Sequence, residues 1–209
     1  MFPTAEVRWF YPGTVPQEVL AWFQQGPHEP DRPPCRVDYY LRLRSIDSLG
    51  IKLREGRIEI KQRFGRQHIV RFHNHVAGLA ERWRKWSLAL AESEGSFPGI
   101  LTPALSWTAV RKERELRKYQ VVGPGQIMTV PAQEFPEQGC TVELTSIQAD
   151  AAVWWTLGFE AFGDELSLQD RLLLTAEQVF AQGRVPRPLR PGASYGYPKW
   201  LTLLGSEGG

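Results

Sequence analysis

Charged and aliphatic residues alternate in the stretch from Ser48 to Gly65, SLGIKLREGRIEIKQRFG. Five Lys or Arg residues are interleaved with aliphatic side chains, and Glu55-Gly56 lies near the centre. Successive side chains of a β-strand point to opposite faces, so this pattern predicts a hairpin with one apolar face and one mostly cationic face. The simplest interpretation of this hairpin alone is an antiparallel sheet whose charged face lies in water.

The same alternation predicts further strands along the chain, and helical spacing predicts helices. The strand segments are Thr4–Phe10, Arg36–Arg44, ALSWTAVRKERELRKY, QIMTVP, CTVELTSI and AAVWWTLGFEAFG. The helix segments are VPQEVLAWFQQ, ELSLQDRLLLTAEQVF and the tail SYGYPKWLTLL.

The region Arg66–Ala91 mixes two patterns. RQHIVRFHNHV alternates, whereas Leu79, Trp83, Trp86 and Leu90 recur every three or four residues. We therefore expect a strand that passes into a helix.

Length and composition indicate one ordinary globular domain over residues 1–209. The chain has 25 basic and 23 acidic residues, so its net charge of +2 gives no reason to expect bulk nucleic-acid binding. Cys35 and Cys140 are too few for a disulfide framework. No basic, apolar leader opens the chain and no apolar run approaches the ~20 residues that span a bilayer. We expect a cytoplasmic protein without membrane insertion.

Eight or so strands with interspersed helices predict an α+β protein built on an antiparallel β-barrel. If the polar strand faces point inward, the helices cover the apolar outer face, and Arg, Lys and Glu side chains line a tunnel. Several cations in a confined space repel one another, and a compact polyanion such as a triphosphate neutralises them best.

Short motifs follow one another in a characteristic order along almost the whole chain. They are TAEVR with Glu6 and Arg8, DYYL, KLR with Lys52 and Arg54, IEIK with Lys61, VRKERELRKY with Lys112 and Arg114, VELT with Glu143, LGFEAF with Glu160, and SYGYPKWLTLL. This series resembles the CYTH-domain, or triphosphate tunnel metalloenzyme, family, which includes thiamine triphosphatases and class IV adenylyl cyclases.

The resemblance implies a set of site residues. In that family basic side chains grip phosphates, and acids on the first, middle and late strands hold divalent ions. Carried to this chain, the catalytic and metal-binding residues are Glu6, Glu143 and Glu160, with Mg²⁺ or Mn²⁺ as the cofactor. The phosphate-binding residues are Arg8, Lys52, Arg54, Lys61, Arg71, Lys112 and Arg114.

The departures from the family pattern fall on the acidic positions. Thr4 and Thr145 stand where acids are expected, and Phe162 replaces a second late Glu. His73 and His75 follow Arg71 where the family often has acids, but two histidines without a third ligand indicate polar lining more than a metal site.

Two functions therefore remain open. The first is Mg²⁺- or Mn²⁺-assisted hydrolysis of a triphosphate or polyphosphate. The second is a non-catalytic module that keeps the anion-binding barrel and serves in ligand binding or in assembly with a protein partner. RKERELRK is basic, but its glutamates argue against a nucleic-acid phosphate track. Most of the tryptophans are expected in the core.

Overall fold

The computed structural model describes residues 1–26, 28–72, 75–90, 100–102, 105–123, 125–131, 134 and 136–204. Its strands are β1 (Phe2–Pro12), β2 (Arg36–Leu41), β3 (Leu49–Arg54), β4 (Arg57–Phe72), β5 (Val76–Ala89), β6 (Trp107–Gly123), β7 (Gln126–Val130), β8 (Gly139–Ala149) and β9 (Ala152–Phe162). Its α-helices are α1 (Gln17–Gln24), α2 (Leu168–Ala181) and α3 (Tyr197–Leu203).

Eight strands form a closed antiparallel barrel. The sheet runs in the order β2-β3-β4-β5-β1-β9-β8-β6, and β2 also pairs with β6, which closes the ring. β7 lies outside the ring and pairs with the far end of β6. The predicted α+β class and antiparallel barrel are confirmed.

The predicted hairpin is formed by β3 and β4. Glu55 and Gly56 join the strands with φ values of 48° and 71°. Positive φ at both central residues is what a two-residue type I′ turn requires, and this turn matches the twist of the flanking strands. β4 continues beyond the predicted strand to Phe72, past a register shift between Phe64 and His68.

The apolar outer face of the barrel carries the larger core. Val7 and Trp9 of β1, together with Leu157 and Phe159 of β9, are fully buried. They form one cluster with the apolar face of α2, which includes Phe180. These strands accept helices on their outer side because every second residue there is aliphatic or aromatic.

A second core closes one end of the barrel. Trp200 of α3 stacks on Phe10 of β1, and Tyr197 of the same helix stacks on Tyr40 of β2. Trp200 is fully buried. The predicted tail helix therefore fills the barrel end with aromatic rings.

The helix predicted within Arg66–Ala91 is wrong, because this region continues as the strand β5. Trp83 lies opposite Thr4 of β1, whereas Trp86 lies opposite Ile60 of β4. The two tryptophans belong to opposite faces of the strand, since their positions differ by three, an odd number. Large apolar side chains on both faces removed the period-two signal that identifies a strand.

Among the described residues, no helix is long and apolar enough to cross a bilayer.

Candidate functional site

A polar cavity of about 270 Å³ lies inside the barrel. Its volume is at the lower end of the roughly 300–1,000 Å³ range of ligand pockets, so it suits a compact ligand. Nine cationic side chains and four carboxylates line it: Arg8, Arg36, Lys52, Arg54, Lys61, Lys85, Lys112, Arg114 and Lys118, with Glu6, Glu59, Glu143 and Glu160.

Strand alternation explains why these side chains meet. On β1, Val7 and Trp9 face the outer core, so Glu6 and Arg8 point inward. The same parity places the charged members of β3, β4, β6, β8 and β9 in the cavity. Nine of the ten site residues predicted from the sequence line it: Glu6, Arg8, Lys52, Arg54, Lys61, Lys112, Arg114, Glu143 and Glu160.

Arg71 lies apart from these nine residues. It is exposed near the end of β4 and lines a separate surface cleft with His75 and Arg190. The structure therefore does not bring Arg71 to the cavity. His73 falls outside the described residues.

The three predicted metal ligands face cations. Glu6 and Glu160 lie directly opposite each other on β1 and β9, and the Lys61 ammonium donates to both, 3.1 Å from Glu160 Oε1. Arg8 donates from Nε to Glu6 Oε1 at 2.7 Å and from Nη1 to Glu143 Oε1 at 2.9 Å. We call these five residues the acidic wall.

The ion pairs keep two of these acids, Glu143 and Glu160, ionised. Burial alone would raise the pKa of Glu143, but Arg8 and Lys112 lower it to about 2. Burial would likewise raise the pKa of Glu160, but Lys61 and the more distant Lys85 lower it to about 2. Glu143 and Glu160 are therefore charged and paired with protein cations at neutral pH.

On the other side of the cavity, two carboxylates form ion pairs with five cations. Asp38 of β2 pairs with Arg36, Lys52 and Lys112, and Glu59 of β4 pairs with Lys52, Arg54 and Lys85. We call this group the basic wall: Arg36, Asp38, Lys52, Arg54, Glu59, Lys85 and Lys112. Its excess of cations gives the cavity its positive charge.

Arg114 adds a further cation beside the basic wall. Within the described part of the chain it forms no ion pair, and its Nε is buried without a hydrogen-bond partner. Burial and the neighbouring charge of Arg36 lower the pKa of Arg114. A guanidinium placed in this way offers its donors to a ligand anion.

The cavity opens into a wider surface depression of about 470 Å³. The two share Arg54, Glu59, Lys85, Thr141 and Glu160. Away from this mouth, Tyr197 and Pro198 of α3 form part of the lining. The charged interior thus connects to solvent on one side and to the aromatic end cluster on the other.

The donor set does not fit a resident divalent ion. Mg²⁺ and Mn²⁺ require hard oxygen ligands that are free to coordinate. Within the ranges that the structure describes, no three His, Cys, Asp or Glu side chains form a group that could hold a metal. Thr4 and Thr145 bury their hydroxyl oxygens without a hydrogen-bond partner, and they supply no charge where the resemblance implies acids.

Sequence reasoning missed several members of the cavity. Lys85 was not predicted as a site residue because β5 was predicted to be a helix, and a helix would not place Lys85 beside Lys61. Asp38 is the first residue of the DYYL motif, and strand parity with Tyr40 could have placed it on the inner face. Glu59 lies in the IEIK motif opposite Lys52 of the hairpin, but its third partner, Lys85, depends on the pairing of β4 with β5.

The comparisons with known proteins provide little further information. No protein-family model matches the chain, and no curated protein matches it. Among solved structures, the chain is similar to a conserved hypothetical protein from Pyrococcus furiosus, with a TM-score of 0.46 and 10% sequence identity. The alignment covers 93% of this chain and 98% of that one.

Proposed function

We propose that the protein binds a small phosphorylated anion, a triphosphate or polyphosphate chain, inside the barrel cavity. The observation that carries this proposal is the charge of the lining, in which nine cations face four carboxylates. Bringing like charges together in a partly desolvated space costs free energy, and a multiply charged anion removes that cost.

The position of Arg114 supports the same proposal. It lies on β6 opposite Thr145 of β8, where no carboxylate is available across the strand pair. Arg54 and Lys85 line both the cavity and its mouth. A phosphate chain that enters from the mouth would meet these cations in succession.

The resemblance to the CYTH or triphosphate tunnel family agrees with a phosphate ligand. Its basic motifs supply Lys52, Arg54, Lys61, Lys112 and Arg114, and all five line one cavity. The resemblance gives weaker support for a metal site, because Glu6, Glu143 and Glu160 form ion pairs with Arg8 and Lys61. We therefore favour a binding module over a Mg²⁺- or Mn²⁺-dependent hydrolase.

Calorimetry with inorganic tripolyphosphate in the presence of EDTA tests the proposal. We expect binding without metal, and a loss of about 10- to 150-fold in affinity for Arg114→Ala, because a charge-assisted hydrogen bond contributes about 1.5–3 kcal/mol. Arg111→Ala is the matched control, since Arg111 lies on the exposed outer side of the same strand. Absence of binding, or equal losses in both variants, would refute the proposal.

A phosphate-release assay separates binding from hydrolysis. Tripolyphosphate and a panel of organic triphosphates are incubated with the protein and either Mg²⁺ or Mn²⁺. A pure binding module releases no phosphate. Metal-dependent turnover that is lost in Glu143→Gln would instead establish the hydrolase, with the carboxylates rearranged around the ion.

A further inference from the structure

Lys112 occupies the most enclosed position among the lysines of the cavity. Its ammonium donates to Asp38 Oδ2 at 3.0 Å and to the Tyr40 hydroxyl at 2.6 Å. It also lies 3.9 Å from the centre of the Tyr197 ring. Its side chain is only 4% exposed, compared with 18% for Lys52.

Burial disfavours the ammonium form of Lys112, and the charges around it only partly offset that effect. Among the described residues, Asp38 is the one carboxylate in contact with Lys112, and it also pairs with Arg36 at 3.1 Å and with Lys52 at 3.7 Å. Three cations therefore contact Asp38, and of these Lys52 also pairs with Glu59 at 2.9 Å. Glu143 of β8 attracts the ammonium from farther away, and the Arg8 guanidinium also lies near the Tyr197 ring, 5.2 Å from its centre.

Lys61 provides a comparison within the same cavity. It lies between two carboxylates, Glu6 and Glu160, rather than sharing one. Burial acts against its charge, but Glu160 and Glu6 outweigh burial and raise the pKa of Lys61. For Lys112, burial and the charge of Lys52 outweigh Asp38 and lower its pKa to about 7.

We propose that anion binding in the cavity is coupled to the uptake of one proton by Lys112. This inference rests on the proposed function, because it describes how the same site responds to its ligand. In the neutral form the Lys112 amine still donates to Asp38 and can accept a hydrogen bond from the Tyr40 hydroxyl. An anion beside the basic wall offsets the repulsion from Arg36 and Lys52, so the ammonium form becomes the stable one.

The coupling has a required sign. Proton binding and anion binding must strengthen each other by the same factor, since linkage between two sites is reciprocal. Affinity for the anion should therefore rise as the pH falls from about 9 to about 7, by at most tenfold per pH unit for one proton. The site would retain anions more tightly when the solution becomes more acidic.

Calorimetry with trimetaphosphate tests this coupling, because this cyclic trianion does not itself titrate near neutral pH. Binding is measured at pH 8 in buffers with different ionisation enthalpies, which gives the number of protons taken up. We expect about 0.5–1 proton per anion for the wild-type protein. Arg111→Ala, on the exposed outer side of β6, is the control, and its proton uptake should equal that of the wild type.

Two variants at the position itself complete the test. Lys112→Arg keeps the charge at every pH, and Lys112→Gln removes it, so both should abolish proton uptake and flatten the pH dependence. If both variants fail to fold, the ¹⁵Nζ resonance of Lys112 in the wild-type protein provides the answer. It should titrate near neutral pH in the free protein and at higher pH with trimetaphosphate.

The outcomes separate this inference from the proposed function. If trimetaphosphate and tripolyphosphate both fail to bind, the proposed function itself fails. If they bind with no proton uptake, or if uptake persists in Lys112→Arg, only the coupling through Lys112 is overturned.

Discussion

Glu6 and Glu160 face each other across β1 and β9, and their carboxylates are held together by the ammonium of Lys61. Two acids directly opposite on neighbouring strands would repel each other without a cation. In this barrel a protein lysine supplies that cation at the position where the family resemblance implies a divalent ion. Lys61 thus offsets the repulsion between Glu6 and Glu160.

Removal of one acid should strengthen anion binding. In Glu160→Gln, Lys61 keeps Glu6 as a partner but gains net positive charge toward the cavity. We expect tripolyphosphate affinity to increase roughly three- to tenfold, since the exposed part of Glu160 is screened by solvent. Glu113→Gln is the control, because Glu113 lies on the exposed outer face of β6. Unchanged or weaker binding in Glu160→Gln would argue that the anion lies far from the acidic wall.

Salt should weaken ligand binding. The interaction is between charges, and the Debye length shortens from roughly 10 Å at 0.1 M salt to about 3 Å at 1 M. We expect affinity for tripolyphosphate to fall about tenfold or more over this range. Arg54→Ala should reduce this dependence, while the outer-face variant Arg111→Ala should not. Salt-independent binding would indicate a contact that is not electrostatic.

Acid should destabilise the fold through the buried carboxylates. Despite burial, Lys52 and its neighbouring cations lower the pKa of Glu59 to about 2, and Glu143 and Glu160 also have pKa values of about 2. A folded-state pKa below the ordinary value contributes stability that is present above about pH 4.5 and is lost as the pH falls through about 2.

We expect the free energy of unfolding to decrease by roughly 2–5 kcal/mol between pH 5 and pH 2.5. Urea unfolding at several pH values measures it. Glu59→Gln should show a shallower decrease, because one of the titrating groups has been removed. A flat profile in the wild type would contradict the ion-pair arrangement.

Gly158 of β9 should be required for the position of Arg8. A Cβ atom added at Gly158 would lie 2.5 Å from Arg8 Cζ, so the guanidinium lies directly over the glycine. Gly158→Ala should displace Arg8 from Glu6 and Glu143 and destabilise the protein by about 1–3 kcal/mol in urea unfolding. Gly192→Ala is the control, since a Cβ there meets no atom within 4 Å. Equal stability of the two variants would show that Arg8 can move without cost.

The strand pattern and the inward charged faces could be predicted from the sequence because both depend on local alternation. The Glu55-Gly56 turn and the parity of Lys52 and Arg54 needed no knowledge of distant contacts. The helix prediction for β5 failed because Trp83 packs inside the barrel, whereas Trp86 lies on the other face of the strand. The centre of the Trp83 ring is 5.5 Å from Lys61 Nζ. A strand with large apolar residues on both faces has no simple period.

The ion-pair partners could not be predicted from the sequence. Asp38 meets Lys112 because β2 pairs with β6, although the two residues are 74 positions apart along the chain. No local pattern states which strands become neighbours when a sheet closes. For Arg71 the local sequence pattern was misleading. It matched the family resemblance, but the position of Arg71 near the end of β4 places it outside the cavity.

The pairing of β2 with β3 is the shortest in the described ring, with only Tyr39–Leu53 and Tyr40–Lys52 in register. The neighbouring strand pairs, β2–β6 and β3–β4, have longer ladders. In the empty barrel, backbone hydrogen exchange should therefore be fastest at the β2–β3 pairing. Because β2 and β6 are far apart in sequence, closing the ring at β2 also carries a large loop-entropy cost during folding. Opening of the short β2–β3 ladder would expose the charged lining of the cavity to solvent while the longer ladders stay paired.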